Sequence, residues 1–316
     1  MRVPVVPIEQ IQRRISLHDL RVLVAVVQAG SMGRAARRLA TSQPAVSRSI
    51  ADLEHALGVR LLDRGRQGVE PTSHGRALVA RGLAIFDELT QGIGELQFLS
   101  DPTVGELRIG ASIAVSVGFV AAVVDRLSAA HPRLTFDLLS TDTTSAYHAL
   151  ATRQVDLLVV HQVAPLADDG MQAELLFDDP HVVVAAADSP WARRRRVRLA
   201  DLADEPWLLP RPDAPYGAVV SEAFRAHGLA MPHAVVTSTL PLRSVLLETG
   251  RYLSMIPRVA LRFPVPGQTV RALPIDLPTT TRPLAIVTLK DRTLSPVAQI
   301  FVDAARKAAG VVARKR

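Results

Sequence analysis

Apolar residues in the first hundred positions recur at helical spacing in three short segments and one long one. Leu17, Leu20, Leu23, Val24 and Val27 predict an amphipathic helix. Residues 31–58 read SMGRAARRLATSQPAVSRSIADLEHALG, two further helices joined by a tight turn. Ser31 is placed to cap the first, whose small apolar face is Ala35, Ala36, Leu39 and Ala40. Thr41-Ser42 interrupts the pattern, and Pro44 falls just inside the second helix, where a first-turn N–H has no intrahelical partner to lose. The second helix buries Val46, Ile50, Leu53 and Leu57 and turns Gln43, Ser47 and Arg48 outward near its start. Residues 59–72 predict a hairpin with Arg64, Gly65, Arg66, Gln67 and Gly68 at its tip, anchored by Leu61, Leu62 and Val69. Residues 73–99 predict one long helix capped by Ser73. Val79, Phe86, Leu89, Ile93 and Leu96 recur along it at coiled-coil-like spacing, while Gly82, Gly92 and Gly94 mark where it would kink or end early.

After Asp101-Pro102-Thr103 the pattern changes to strands alternating with helices. Strands at 106–111, 134–139 and 155–160 enclose helices at 114–130 and 143–152, an order that predicts a parallel sheet. A second set follows: strands at 181–187, 207–209, 234–238 and 253–256, with helices at 216–227 and 241–249. A strand at 283–289 and a helix at 295–309 close the chain. The expected fold class is α/β, with an all-α-type winged helix-turn-helix domain at the N-terminus, a long linker helix and a two-lobed α/β binding domain. The expected divisions are a loose extension over 1–15, the winged helix over 16–72, the linker over 73–100 and the binding domain over 101–316. Lobe I would take 103–162 and 267–310, and lobe II 163–266.

Two short helices with a small-residue packing face, the second presenting polar residues early, have the form that reads DNA. Gln pairs with the adenine edge, Arg with the guanine edge, and Ser with either base or a phosphate. The same helices could be a surface hairpin with a solvated polar face, and the flanks decide. A preceding helix can close a three-helix core. The basic hairpin that follows is a wing, whose arginines suit phosphates or a narrow minor groove. Charge agrees: eleven arginines and no lysine stand before Thr72 against six carboxylates, so +5 of the chain's formal +7 lies in its first 71 residues. An electrostatic footprint for DNA is concentrated in this way.

At these residues the chain resembles the LysR-type transcriptional regulators. It follows closely their pattern of an apolar first helix, then S-x-x-x-A-A-x-x-L-x-x-S-Q-P-A-V-S, then L-F-x-R-x-x-R-x-V-x-L-T-x-x-G. Leu62 stands where a Phe is usual, Gln67 for an Arg and Pro71 for a Leu. The first is a packing swap, the second removes a wing charge beside Arg66, and the third stiffens the entry to the long helix. The resemblance implies DNA contacts from Ser42, Gln43, Pro44, Ser47, Arg48, Arg64 and Arg66, and a linker helix that pairs two subunits. It also implies an effector domain similar to periplasmic binding proteins over most of 103–310, and a homodimer or homotetramer on double-stranded promoter DNA.

Such two-lobed folds take small ligands beyond the strand ends. The effector candidates are therefore Ser112, Ile113, Thr141, Thr143, His161, Arg211 and Ser238, with Thr144, Gln162, Tyr216 and Thr239 beside them. Hydroxyls and helix N-termini converging with Arg211 suit an anion. Thr143, Thr144 and Ser238 could equally be helix caps. Arg193–Arg196, after Trp191, could be a second DNA or acidic-partner contact, or a solvated loop.

The 316 residues, 48% hydrophobic, can bury a sizeable core, and the absence of cysteine excludes disulfides and thiolate metal sites. No signal peptide and no apolar run of about 18 residues is expected, so the reading is cytoplasmic with no membrane contact. No cofactor is expected: H-x-x-x-H, H-E-x-x-H, G-x-G-x-x-G, G-K-[ST] and G-x-S-x-G spacings are lacking. The functional expectation is a sequence-specific regulator switched by a small effector, not an enzyme. The alternative, a small-molecule-processing α/β enzyme with a basic accessory domain, has no catalytic set to support it.

Overall fold

The computed structural model describes residues 14–65, 68–163, 165–166, 169–236, 240–263 and 269–314. Two compact units divide at Gly92/Ile93.

In the first unit, helices α1 (Leu17–Ala29), α2 (Met32–Arg38) and α3 (Gln43–Leu57) precede a hairpin of β1 (Leu62–Gly65) and β2 (Gly68–Pro71). Ser16 starts α1 through a capping box: its Oγ accepts from Asp19 N, and the Asp19 carboxylate accepts from Ser16 N. The other Asp19 oxygen accepts from Ser49 Oγ at 2.8 Å, which ties α1 to α3. The core joins Leu23, Val26, Ala35, Val46, Ile50, Leu53 and Leu61, with Leu57 at its margin. Helix α2 is shorter than expected. Leu39 is its C-cap and Ala40 is exposed with φ 50°, so Ala40 makes the turn rather than the packing face. At the wing, Gly68 has φ 129°, and a Cβ there would lie 2.7 Å from the Gly30 carbonyl; that close approach seats the hairpin on the end of α1.

Helix α4 (Ser73–Ser100) is continuous in spite of its glycines. Its cap is Thr72 rather than Ser73, with Thr72 Oγ1 accepting from Gly75 N at 3.0 Å. Val79 packs on the winged-helix core, and Phe86 carries the Arg21 guanidinium 5.3 Å over its ring. The exposed stripe therefore lies further along, as Ile85, Leu89, Ile93, Leu96 and Leu99, each 42–71% exposed.

The second unit holds two five-stranded mixed sheets. One has the order β4-β3-β5-β12-β6, from β3 (Gly105–Ser112), β4 (Leu134–Thr141), β5 (Leu157–His161), β6 (Met171–Asp179) and β12 (Arg282–Leu289). The other has the order β11-β7-β10-β8-β9, from β7 (His181–Ala186), β8 (Trp207–Leu209), β9 (Ala234–Val236), β10 (Leu253–Pro257) and β11 (Val270–Ala272). Strands β3, β4 and β5 are parallel, as expected, but β12 is antiparallel to both neighbours. Strand β6, which has no clean alternation, pairs with β12 and extends lobe I to Asp179. The chain then crosses at Pro180 and returns at Arg282, not near 162 and 267; residues 171–179 belong to the first sheet and 270–272 to the second.

Helix α5 (Ile113–Ala130) includes a π-turn over Ser116–Val120. It reaches a mean hydropathy of 1.7 over 18 residues, so among the described residues one helix is long and apolar enough to span a membrane, although Asp125 and Arg126 interrupt its apolar run. Val115, Phe119, Val123 and Leu127 on this helix are core residues of lobe I. Helices α6 (Thr143–Ala151), α7 (Pro215–Ala226), α8 (Leu240–Glu248), α9 (Val259–Arg262) and α10 (Pro296–Arg314) complete the unit.

Candidate functional site

The outward start of α3 follows from its cap and its core. Ser42 Oγ accepts from Ala45 N at 3.3 Å, while Val46 and Ile50, 1% and 0% exposed, fix the buried face. Gln43, Pro44 and Arg48 are then left exposed and Ser47 half-buried, all within the first two turns. Ser42 is itself exposed, and its O–H remains available as a donor. Arg64 stands in β1, three residues after the buried Leu61; Arg66 lies outside the described residues.

In the second unit a cavity of about 170 Å³ opens between the lobes. Ser112, Ile113, Thr141, Thr143 and Arg211 all line it, so the strand-end argument gathers five of its seven candidates. Much of the remaining wall is apolar: Pro210, Pro215, Val220 and Met255. Ser112 ends β3 and is 3% exposed, and its Oγ has no hydrogen-bond partner. Thr143 begins α6, but Asp142 is the cap, with Oδ1 accepting from Ser145 N at 3.0 Å. That helix N-terminus is therefore already answered by a carboxylate of the chain, which removes one of the expected anion contacts. Arg211, at the mouth, pairs with Asp213 at 2.9 Å. Gly217 holds the mouth in shape, since a Cβ there would fall 1.7 Å from the Arg211 carbonyl. Thr144 turns to a second cavity of about 400 Å³, with Tyr147, His148, Leu166 and Met171.

His161 was expected at the ligand; it does not line the cavity and is 0% exposed. Its Nε2 lies 2.8 Å from Asp179 Oδ2, and its Nδ1 meets the Tyr216 hydroxyl at 2.5 Å. Strand β5 is buried along its whole length and carries the side chain into that interior. Asp179 Oδ1 accepts from Val259 N at 3.0 Å. Tyr216 of α7 lines the cavity. Burial pushes its phenol up, the facing Ser112 hydroxyl works the other way, and the Asp179 charge adds to the rise. Nearby His181 is lowered to about 3 by burial first and by His161 second. Ser238 lies outside the described residues.

Arg243 of α8 also lines the cavity, and sequence reasoning missed it. Burial lowers its guanidinium from the ordinary value, so an anion beside it would be favoured. The available signal was a base in the first turn of a helix that follows a strand of the second lobe.

The profile of the bacterial regulatory helix-turn-helix proteins of the lysR family matches residues 17–76, and that of the LysR substrate binding domain matches residues 100–310. The chain belongs to the LysR family. Its members are DNA-binding transcriptional regulators with an effector-binding domain. This membership, rather than any lack of catalytic groups, sets the enzyme alternative aside. The chain is 26% identical to the HTH-type transcriptional regulator YdcI of Escherichia coli over 93% of its length and 96% of the relative's. It is 28% identical to GbpR of Azospirillum brasilense over 96% and 90%. Among solved structures, a full-length OxyR variant of Pseudomonas aeruginosa covers 92% of this chain and 95% of its own, with TM-score 0.68 and 22% identity. Full-length CbnR in complex with its target DNA covers 93% and 100%, with TM-score 0.63 and 21% identity.

Proposed function

We propose that Gln43, Ser47 and Arg48 read base edges in the promoter, that Ser42, Pro44, Arg64 and Arg66 hold its backbone, and that a small effector in the inter-lobe cavity switches the protein in the cytoplasm. The exposed polar start of α3, fixed by a buried opposite face, supports the first assignment. Gln43→Ala should relax sequence preference and cost roughly 1–3 kcal/mol at its base pair. Arg64→Ala should weaken all sequences alike and flatten the salt dependence. Equal behaviour of the two variants in a base-substitution series would refute this division of labour.

The effector reading rests on one observation above others: Ser112 buries a hydroxyl without a partner on the wall of a cavity that both lobes line. A buried unmade hydrogen bond is costly, and a ligand that answers it recovers that cost. Arg243, whose guanidinium burial disfavours, favours an anion beside it, while Arg211 is shared with Asp213. A ligand that contacts both lobes prefers one inter-lobe angle, and that differential affinity is what a switch requires. Ser112→Ala and Thr143→Ala should blunt the response to effector in a promoter-binding titration while leaving effector-free DNA binding normal. An unchanged response in both would move the sensing site elsewhere. The effector for the titration comes from a thermal-shift screen, because binding to the native state raises its stability.

A further inference from the structure

The chain of contacts behind the cavity determines more than the shape of its wall. With one proton on the His161 ring, a carboxylate at Asp179, which can only accept, holds that proton on Nε2. Nδ1 is then an acceptor, and the hydroxyl it meets must donate: the Tyr216 O–H is committed to His161. What Tyr216 has left for the cavity is a lone pair. Ser112, on the same wall, faces that phenol without closing a hydrogen bond to it, so its O–H can turn to a ligand. The groups that bear on the ring from its other neighbours do not reverse this order. His181 lies 6.4 Å away, centroid to centroid, and is held neutral by burial, and its Nδ1 faces the Thr280 carbonyl. The wall therefore offers one acceptor and one donor side by side, with the guanidinium groups of Arg243 and Arg211 lining the same cavity.

We propose that the effector is a compact carboxylate carrying an O–H or N–H donor beside its acid group, a 2-hydroxy or 2-amino acid, whose donor bonds Tyr216 Oη while the carboxylate takes Ser112 and an arginine. This rests on the effector reading of the cavity and adds the donor requirement. The volume agrees: an apolar cavity of about 150 Å³ holds benzene, and the space here is about 170 Å³, room for a short-chain acid. Tyr216 is on this account the residue that determines specificity. A deoxy acid would leave its buried lone pair unanswered, and sites built for a hydroxyl reject analogues without one far more strongly than apolar pockets reject a missing methylene.

Matched acids of three to five carbons test it: lactate against propionate, 2-hydroxybutyrate against butyrate, and alanine and 2-aminobutyrate beside them. Binding is read by thermal shift and by calorimetry on the full chain. The wild type should bind at least one donor-bearing acid about tenfold or more tightly than its deoxy partner. Tyr216→Phe should bring the pair to equal affinity by weakening the donor-bearing acid alone. Equal affinities of the pair in the wild type would overturn the donor requirement and leave the effector site standing. Loss of both acids equally in Tyr216→Phe would also overturn it, since Tyr216 would then be donating to the carboxylate from an imidazolium-paired state. Binding of none of these acids would overturn the proposal together with the anionic-effector reading. A Tyr216→Phe protein that failed to fold would show no cooperative melt, and His161→Gln, which keeps one acceptor toward Tyr216, would then serve: retained discrimination supports the proposal and lost discrimination counts against it.

Discussion

Leu89→Asp combined with Ile93→Asp should turn the protein into a monomer in sedimentation velocity. Both side chains sit on the stripe that α4 exposes, together with Ile85, Leu96 and Leu99, and are 47% and 50% exposed. The steps along it are four, four, three and three residues, which keeps all five on one face of the helix. Burying large apolar side chains releases about 1.5–3 kcal/mol each, and an apolar stripe of this kind is what pairs two helices. Placing two carboxylates in the seam opposes that gain with charge that cannot be solvated. Because a two-fold dimer grips two half-sites, losing it should lower affinity for a full promoter site by roughly 10²–10⁴ while half-site affinity is unchanged. A double variant that still sedimented as a dimer and bound full sites normally would show that α4 is not the pairing element. Phe86→Asp is a poorer test, because Phe86 lies under the Arg21 guanidinium and its loss would disturb the winged helix itself.

That displacement of the stripe shows where sequence reasoning reached and where it stopped. Periodicity found α1, α3 and α4 because apolar residues recur along each at helical spacing; in α3 that face is buried, whereas along the later part of α4 it is exposed. It could not tell which end of α4 packs within the chain, since Val79 and Leu96 look alike until the wing is folded against one of them. Strand β6 escaped because its burial does not alternate: it is the edge of the lobe I sheet, with Leu175 59% exposed. Missing it put the lobe boundary almost twenty residues early. In the cavity, the strand-end rule gathered Ser112, Ile113, Thr141 and Thr143, whose placement is local. It failed for His161, where the same strand end is buried on every side, and for Arg243, which reaches the cavity only because the second lobe folds over the first. Asp142 caps α6 because it is the last extended residue before the helix and outranks the neighbouring threonines at that position.

Asp156→Ala should destabilise the effector-binding unit by about 3–5 kcal/mol, the cost of stripping a buried ion from its partner. Asp156 stands just ahead of β5 and joins three segments. Its Oδ2 accepts from Arg108 N at 2.7 Å, and its Oδ1 takes the Arg108 guanidinium at 2.6 Å and that of Arg292 at 2.5 Å. The Arg292 side chain is only 2% exposed, so in the alanine variant its buried charge would lose the carboxylate and keep the Val155 carbonyl. Domains hold together by about 5–15 kcal/mol in total, and the melting temperature of a unit this size should fall by roughly 10 °C or more. Strands β3 and β5, which carry Ser112 and His161, meet at this network, so effector binding should weaken with it. The core of the winged helix is a separate cluster and should keep its fold. The pH dependence has a definite sign. Burial works to raise the Asp156 carboxyl, but hydrogen bonds and charge from Arg108 and Arg292 outweigh it and hold it below the usual carboxylate range. A depressed carboxyl contributes stability above its unfolded value and loses it as the pH falls through the folded one. The gap between wild type and variant should therefore be constant above about pH 5 and close only under strong acid, below the ordinary carboxylate value of about 3.9. A gap that closed instead on going to alkaline pH, or a loss of stability under about 1 kcal/mol at neutral pH, would mean that the two arginines are solvated well enough not to need Asp156.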